Sequence, residues 1–260
     1  MSIVVERVEI ALPRLPPAFD RLTVAVASDL HGRLFRGSKA AAVRLVGTIN
    51  DLQPDLALLL GDMVHNPNHG PAFLPLLTGL RAGSGAYAAL GNHEHAFVWY
   101  NRYLGEGRHP SNEEWRRIYA GAGIELLVNE PRPLARGGVR IWLVGVDDPF
   151  SGHHDLDAAL AEIPTGECSI AFTHSPDLLD YPRAGELDLL LAGHTHGGQV
   201  CLPRVGALYA PCRRPRQRAA GLLQGERTRV YVTRGLGEGF PLRLVCPREL
   251  TLMTLRSGSA

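Results

Sequence analysis

Five short polar clusters, each placed directly after an apolar run, hold the side chains of this 260-residue chain that are best suited to chemistry. They are Asp29-Leu30-His31, Gly61-Asp62, Gly91-Asn92-His93-Glu94, His174 and Gly193-His194-Thr195-His196. Besides His93, they offer two aspartates, one asparagine and four histidines as ligands, enough for two divalent ions. A mixed nitrogen and oxygen set without thiolates favours Mn²⁺, Fe²⁺, Zn²⁺ or Co²⁺ over Ca²⁺.

A site for two metal ions needs a ligand that both ions share. A carboxylate can bridge two cations, whereas a given imidazole nitrogen binds only one, so Asp62 is the candidate for the shared ligand. Asp29 and His31 lie two residues apart on a turn that leaves a strand, and this spacing lets both face one ion. His194 and His196 have the same spacing.

The other polar residues of the clusters complete the predicted centre. Asn92 offers an amide oxygen and His174 a ring nitrogen. Two ions about 3.5–4 Å apart lower the pKa of a bridging water and hold a phosphoryl oxygen during in-line attack. His93 is then free to act on the leaving-group oxygen as an acid or a hydrogen-bond donor. The residues therefore predict metal-dependent hydrolysis of a phosphate ester.

Predicted strands and helices alternate along the chain, which is typical of a layered α/β fold. Near-continuous apolar runs predict strands buried on both faces at residues 22–28 and 56–60. Further strands are predicted at residues 3–12, 86–90, 124–128, 139–144, 169–173, 187–191, 229–233 and 249–255. Helices are predicted at residues 38–52, with Ser38 as N-cap, and at 73–80, 112–122 and 156–162. All five clusters follow strands, and ligands of such folds collect at the carboxyl ends of strands.

Composition and charge narrow the classes of function. The chain fits one domain, residues 1–260, and its net charge of +1 gives no general attraction to nucleic acid. Its four cysteines are widely spaced and form no C-x-x-C pair, which argues against a disulfide framework or a structural zinc site. No apolar run reaches 18 residues and no signal-peptide core follows the N-terminus. We therefore expect a soluble cytoplasmic protein, with peripheral contact to the inner face of the membrane left open.

The ordered motifs D-x-H, G-D, G-N-H-E, H and G-H-T-H resemble those of the calcineurin-like metallophosphoesterase superfamily. The similarity extends through residues 193–200, 233–237 and 241–255, a pattern like that of the bacterial branch of small monomeric phosphodiesterases. It implies an α/β fold with four layers, α-β-β-α, in which helices flank a sandwich of two mixed sheets. The implied ligands are Asp29, His31, Asp62 and His196 for one ion, and Asp62, Asn92, His174 and His194 for the other. His93 is implied to act at the leaving group.

From this resemblance we expect a phosphodiesterase with two transition-metal ions, Mn²⁺ first and Fe²⁺, Zn²⁺ or Co²⁺ as the other choices. A metal-bridging hydroxide would attack phosphorus and break a P–O bond. One alternative is a hydrolase of a nucleotide–lipid pyrophosphate of the UDP-diacylglucosamine type, and another is a metal-binding scaffold without catalysis. The expected partner is a small-molecule or lipid-linked phosphoester.

Substrate contacts are predicted in the loops around the clusters. Arg33 could bind a substrate phosphate through a bidentate contact, and Arg234 could do the same or brace a loop. Residues 97–111 predict a longer loop or a small cap at the rim of the site. The arginine-rich residues 212–218 are expected to be a solvated turn, although they could join that loop as a lip for an anionic lipid head group.

Several further polar residues near the clusters are expected to lie outside the chemistry. We interpret His65, His69 and His95 as solvated loop histidines, with a substrate contact as the alternative. Asp147 and Asp148 are expected to fill a turn or capping role.

Overall fold

Two six-stranded mixed sheets form the centre of a computed structural model that describes residues 3–33, 37–95, 110–214, 217–224, 228–240 and 242–258. The strands of the first sheet are β1 (Val4–Leu12), β2 (Leu22–Ala27), β3 (Leu56–Leu60), β4 (Ala86–Ala89), β5 (Glu125–Leu126) and β14 (Glu249–Ser257). Their order is β1-β14-β2-β3-β4-β5. Strands β2 to β5 are parallel to one another, whereas β14 is antiparallel to β2 and parallel to β1.

The second sheet has a parallel centre, and each of its edge strands is antiparallel to its neighbour. Its strands are β6 (Glu130–Arg136), β7 (Val139–Gly145), β8 (Ser169–Phe172), β9 (Leu189–Ala192), β12 (Gly221–Gln224) and β13 (Arg229–Val232), in the order β12-β13-β9-β8-β7-β6. A separate two-stranded hairpin consists of β10 (Cys201–Leu202) and β11 (Gly206–Ala207). The helices are α1 (Ser38–Leu52), α2 (Gly70–Phe73), α3 (Asn112–Ala120) and α4 (Leu156–Leu160).

Three apolar layers separate four layers of secondary structure. Because successive strand residues face opposite sides of a sheet, Val24 and Val26 of β2 pack between the two sheets, while Ala25 and Ala27 pack beneath α1. A third apolar layer lies between the second sheet and α4. This is the four-layer sandwich of two mixed sheets that the sequence predicts, and the fold class is confirmed.

The helices form where apolar spacing and end signals agree. On α1, Ala42, Leu45 and Ile49 recur at helical spacing and are buried. At α3, Ser111 and Glu114 form a capping box, in which each side chain accepts a hydrogen bond from the other residue's backbone N–H. Among the helices of the described residues, none is long and apolar enough to cross a membrane.

Prolines account for the main differences from the predicted elements. The helix predicted at residues 73–80 is wrong: the structure has the short α2 and a 3₁₀ turn at Leu74–Leu77, because Pro75 lacks the N–H that an α-helix through this segment needs. Strand β6 was not predicted, because Pro131 and Pro133 interrupt the pattern typical of a strand. The strand lies at a sheet edge, where proline is tolerated.

Two smaller predictions concern the start of α1 and the loop at residues 97–111. The N-cap of α1 is Gly37, whereas the Ser38 hydroxyl accepts a hydrogen bond from the Arg33 backbone. Of the predicted loop at residues 97–111, only Pro110 and Ser111 belong to the described residues, so its role at the rim stays a prediction.

Candidate metal centre

The five polar clusters follow five parallel strands that belong to both sheets. Strands β2, β3 and β4 of the first sheet and β8 and β9 of the second each end two or three residues before a predicted ligand. Hydrogen bonds join the loops: Asp29 N donates to Gly61 O at 3.1 Å, and His194 N donates to Asp29 Oδ2 at 3.1 Å. The second contact ties the loop after β9 to the loop after β2, so the two sheets meet at this edge.

Asp29, His31 and His196 form a first buried group of potential ligands. The Nε2 atoms of His31 and His196 are 3.0 Å apart, and Asp29 Oδ1 lies 3.4 Å from His196 Nε2 and 4.0 Å from His31 Nε2. Two nitrogen ligands at about 2.1 Å from one ion, in neighbouring octahedral positions, stand about 3 Å apart. The spacing of the two ring nitrogens therefore suits ligands of one ion.

Asp62, His174 and His194 form a second buried group beside the first. His174 Nε2 is 3.1 Å from Asp62 Oδ2 and 3.1 Å from His194 Nδ1. Asp62 Oδ2 also lies 3.9 Å from His31 Nε2, so this carboxylate stands between the two groups. Asn92 is buried in the turn after β4.

The surroundings of one buried carboxylate oxygen show whether this arrangement fits metal ions. Asp29 is fully buried, and its Oδ1 has no hydrogen-bond partner among the described residues. Burying a carboxylate oxygen without a donor or cation is costly. The unpaired oxygen is met only by imidazole nitrogens at 3.4–4.0 Å, and this donor set fits divalent transition-metal ions.

The backbone of the predicted ligands is unusual. Five of the seven have positive φ angles: Asp29 (55°), His31 (47°), Asp62 (52°), His194 (67°) and His196 (52°). Residues other than glycine seldom adopt this left-handed region, although Asp and His do so more readily than most, and such conformations concentrate at functional sites. The residue types in the motifs are therefore suited to a left-handed backbone conformation as well as to metal binding.

The glycines of the motifs allow these loops to approach closely. A Cβ atom at Gly91 would overlap Asp62 Oδ1 and lie 2.9 Å from His174 Cγ. A Cβ atom at Gly193 would overlap Ser28 Oγ and lie 2.7 Å from Asp29 Oδ2. Both positions therefore exclude any larger residue, and this explains the glycine before Asn92 and before His194.

Carbonyl oxygens orient two of the histidine rings. His174 Nδ1 lies 2.8 Å from Leu60 O, and His93 Nδ1 lies 2.7 Å from His65 O. Because a carbonyl only accepts, the Nδ1 atom of each ring carries the proton, and Nε2 is directed toward Asp62. In its neutral form His174 therefore has its lone pair on Nε2, as metal binding requires.

Burial governs the charges of the centre. It lowers the pKa of His31 and His194 well below the usual histidine value, and neighbouring histidines lower it further, so both rings are neutral. Burial alone would raise the pKa of Asp62, but His174 and His93 outweigh it and hold that pKa well below the usual range. Burial alone would lower the pKa of His174, but Asp62 outweighs it and raises that pKa well above the usual histidine value. The centre thus combines an ionised Asp62 and neutral His31 and His194 with a His174 that favours its charged form, so metal binding at His174 competes with a proton.

Glu94 holds the loops in place and had no role in the sequence interpretation. Its buried carboxylate accepts hydrogen bonds from the backbone N–H groups of Asp62, Met63, Val64 and Gly91. Burial and the nearby Asp62 charge raise its pKa to about 7. Its position in the G-N-H-E motif is the sequence signal that could have pointed to a role at the centre. Its hydrogen-bond partners are seen only in the structure.

Two of the histidines interpreted as solvated are in fact packed near the centre. The ring of His65 lies 4.7 Å from that of His93 and 5.7 Å from that of His31, between centroids. His95 is largely buried, and its Nε2 is 2.7 Å from Asp147 Oδ1. That distance is typical of a charge-assisted hydrogen bond, so we interpret His95 and Asp147 as an ion pair. The turn role expected for Asp148 is confirmed, since its carboxylate accepts from the backbone of the following residues.

The arginines near the centre have different partners. Arg234 contacts Glu6 at 2.8 Å and Glu249 at 2.8 Å, an arrangement that favours bracing over substrate binding. Arg243 donates to the carbonyl oxygens of Gly237 and His196 and was not singled out from the sequence. Arg33 is exposed just after His31, and its contact with substrate stays a prediction.

Comparison with known proteins places this geometry in a family. A family model described as calcineurin-like phosphoesterase matches residues 22–198. The chain belongs to this family. It is 32% identical over 255 residues to the uncharacterized metallophosphoesterase YkuE of Bacillus subtilis, across 94% of this chain and 82% of that protein. It is 34% identical over 207 residues to the phosphodiesterase YaeI of Escherichia coli, across 78% of this chain and 71% of that protein.

Among solved structures, the calcineurin-like chain is similar to a dimetal phosphatase from Danio rerio, with a TM-score of 0.47 and 13% identity, covering 83% of this chain and 88% of that one. The resemblance stated from the motifs is confirmed by the family match. Family membership supports a metal-dependent phosphoesterase.

Replacing Glu94 tests whether it braces the centre. Glu94→Ala leaves four buried N–H groups without an acceptor, so we expect the free energy of unfolding to fall by roughly 3 kcal/mol or more. Metal binding should weaken by about 10–100-fold, as for other residues that orient ligands. Denaturant unfolding and metal titration measure the two effects, with the exposed Glu113→Ala as control. Native stability in Glu94→Ala would show that the hydrogen bonds are not important.

Proposed function

We propose that the chain is a phosphodiesterase that works with two divalent transition-metal ions. The position of Asp62 carries the proposal, because its carboxylate stands between two groups of ligands, 3.1 Å from His174 Nε2 and 3.9 Å from His31 Nε2. Identity of 34% with a relative named phosphodiesterase supports the diester over the monoester.

Each ion is assigned four side chains, with Asp62 in both sets. We assign Asp29, His31, Asp62 and His196 to one ion, and Asp62, Asn92, His174 and His194 to the other. When bound, two such ions supply an activated water and neutralise charge on the phosphoryl oxygens. The nitrogen and oxygen donors suit Mn²⁺, the ion that we propose, as well as Fe²⁺, Zn²⁺ and Co²⁺.

His93 stands outside both groups and is the proposed donor to the leaving group. Its Nε2 lies 3.8 Å from Asp62 Oδ2, and its ring is 4.6 Å from that of His31 between centroids. Since Nδ1–H is held by the His65 carbonyl, a proton for the leaving oxygen must sit on Nε2 of the cationic ring. The His65 carbonyl fixes the direction of the ring, so that Nε2 can donate to the leaving oxygen.

Comparing substrates tests the proposed activity. With Mn²⁺ bound, we expect faster hydrolysis of an aryl phosphodiester than of an aryl phosphomonoester, measured as kcat/KM. A cyclic nucleotide and a nucleotide–lipid pyrophosphate complete the comparison. Preference for the monoester would overturn the diester assignment, and metal binding without hydrolysis of any substrate would point to a scaffold.

Metal content tests the shared ligand. After reconstitution with Mn²⁺ and dialysis, the protein should retain about two ions per chain, and Asp62→Asn should retain clearly fewer because both ions lose a carboxylate. Elemental analysis by mass spectrometry measures this. The control is His154→Ala, whose ring packs on Tyr181 away from the ligand groups. A content near zero, or no effect of Asp62→Asn, would contradict the proposal.

Substitution of His93 tests its role in proton donation. His93→Ala should lower kcat on an aryl phosphodiester by about 10²-fold or more, the usual contribution of general acid catalysis. Metal content should not change, because His93 is not among the proposed ligands. Turnover equal to that of the unmodified protein would remove the assigned role.

A further inference from the structure

An exposed apolar surface lies on two adjoining segments, residues 202–209 and residues 240 and 242–245. We call it the rim surface. Of the thirteen large apolar side chains that are exposed among the described residues, eight belong to it: Leu202, Val205, Leu208, Tyr209, Phe240, Leu242, Leu244 and Val245. Tyr209 is 67% exposed and Val205 64%. Exposed apolar residues that occur singly are ordinary, whereas a cluster of this kind marks an interaction surface.

Hydrogen bonds fix the two segments to each other. Cys201 N donates to Leu244 O at 2.9 Å. The Gln199 side chain donates to the carbonyl oxygens of Phe240 and Leu242 at 2.8 and 2.9 Å. The first segment is also closed on itself by the β10–β11 pairing. The rim surface is therefore a built part of the fold.

The rim surface borders the candidate metal centre at His196. Gln199 N donates to His196 O at 3.1 Å, and Gln199 Oε1 accepts from Gly239 N at 2.6 Å. A Cβ atom placed on Gly239 would lie 3.6 Å from His196 Nε2. Gly239, which directly precedes the second segment of the rim surface, therefore lies beside the proposed ligand His196.

The two charged side chains within the rim surface, Arg204 and Arg243, are both basic, and Glu238, just before its second segment, contacts Arg248. Residues 199–225 contain five arginines and no acidic residue. Arg218 and Arg214 contact Asp180, so the lip considered for residues 212–218 has part of its charge compensated. Arg204, in contrast, is exposed between Leu202 and Val205 within the rim surface.

The composition of the rim surface favours lipid over protein as its partner. Residues 202–208 contain no carboxylate, amide or hydroxyl side chain. Apart from Arg204 and Arg243, the Tyr209 hydroxyl is the one polar side-chain group of the rim surface. Protein interfaces use about one hydrogen bond per 100–200 Å², so a surface with so few polar side chains is a poor match for them. Apolar side chains with arginine are instead the combination that binds the boundary between lipid head groups and acyl chains.

We propose that the rim surface docks on an anionic lipid bilayer. The apolar side chains enter the head-group boundary, and Arg204 contacts lipid phosphates. A docked molecule presents the metal centre to phosphoesters in the head-group layer, so the substrate class is a lipid-linked phosphoester. This last step rests on the proposed function, whereas docking itself does not.

Flotation with vesicles tests docking without turnover. Phosphatidylcholine vesicles that contain phosphatidylglycerol should carry the protein, and binding should weaken as salt is added. The triple variant Val205→Ser, Leu208→Ser and Tyr209→Ser should bind about tenfold or more weakly, since three exposed apolar side chains are lost. Arg204→Gln should weaken binding to the anionic vesicles only. The control is Val43→Ser, an equally exposed apolar residue on α1.

Hydrolysis of a soluble aryl phosphodiester, measured beside flotation, separates the two proposals. Unchanged hydrolysis by the triple variant, together with its loss of vesicle binding, supports docking. Vesicle binding equal to that of the unmodified protein would overturn it, as would failure of the unmodified protein to float. A dimer seen by sedimentation velocity and abolished by the triple variant, without vesicle binding, would assign the surface to a second copy instead. Normal flotation without any hydrolysis would overturn only the proposed function.

Discussion

A buried carboxylate between two groups of histidines is the constraint on which the rest of the centre depends. Asp62 is almost fully buried, and burial of a negative charge is costly unless donors or cations compensate it. One donor is the His93 backbone N–H at 2.9 Å from Oδ1. Two cations shared through the same carboxylate would supply the rest. The protein must therefore bring ligands from two sheets to one point and hold them there.

The sandwich meets this demand through short, strained loops on rigid strands. The strands are packed on both faces, so their carboxyl ends have little freedom, and the ligand residues follow within two or three positions. The positive φ angles at Asp29, His31 and Asp62 are unfavourable by themselves and persist because surrounding contacts fix them. Glu94 provides four of those contacts, and the hydrogen bond from His194 N to Asp29 provides one between the sheets.

The sequence predicts the strands well and places the ligand candidates at their carboxyl ends, because both depend on local patterns. Buried strands such as β3 are continuous apolar runs, and chain connectivity places the next polar residues at the strand end. Contacts between distant residues leave no such pattern. The sequence allows Arg234 either to bind substrate or to brace a loop. Its contacts with Glu6 and Glu249 are seen only in the structure, and they favour bracing. The same holds for His65, whose carbonyl and ring meet His93 only in the folded chain.

Selectivity must come from the surroundings of the ions, because two ions recognise any phosphoryl group. Each proposed metal group has an apolar neighbour of its own. Phe150, 41% exposed, lies 4.4 Å from the His194 ring between centroids, whereas Phe240 follows Gly239, the residue beside His196. A phosphodiester carries an organic group on each side of phosphorus, and a monoester carries only one. Apolar groups beside both proposed ion sites therefore support the proposal of a diester substrate with a large apolar substituent, the kind of substrate that a bilayer surface would present.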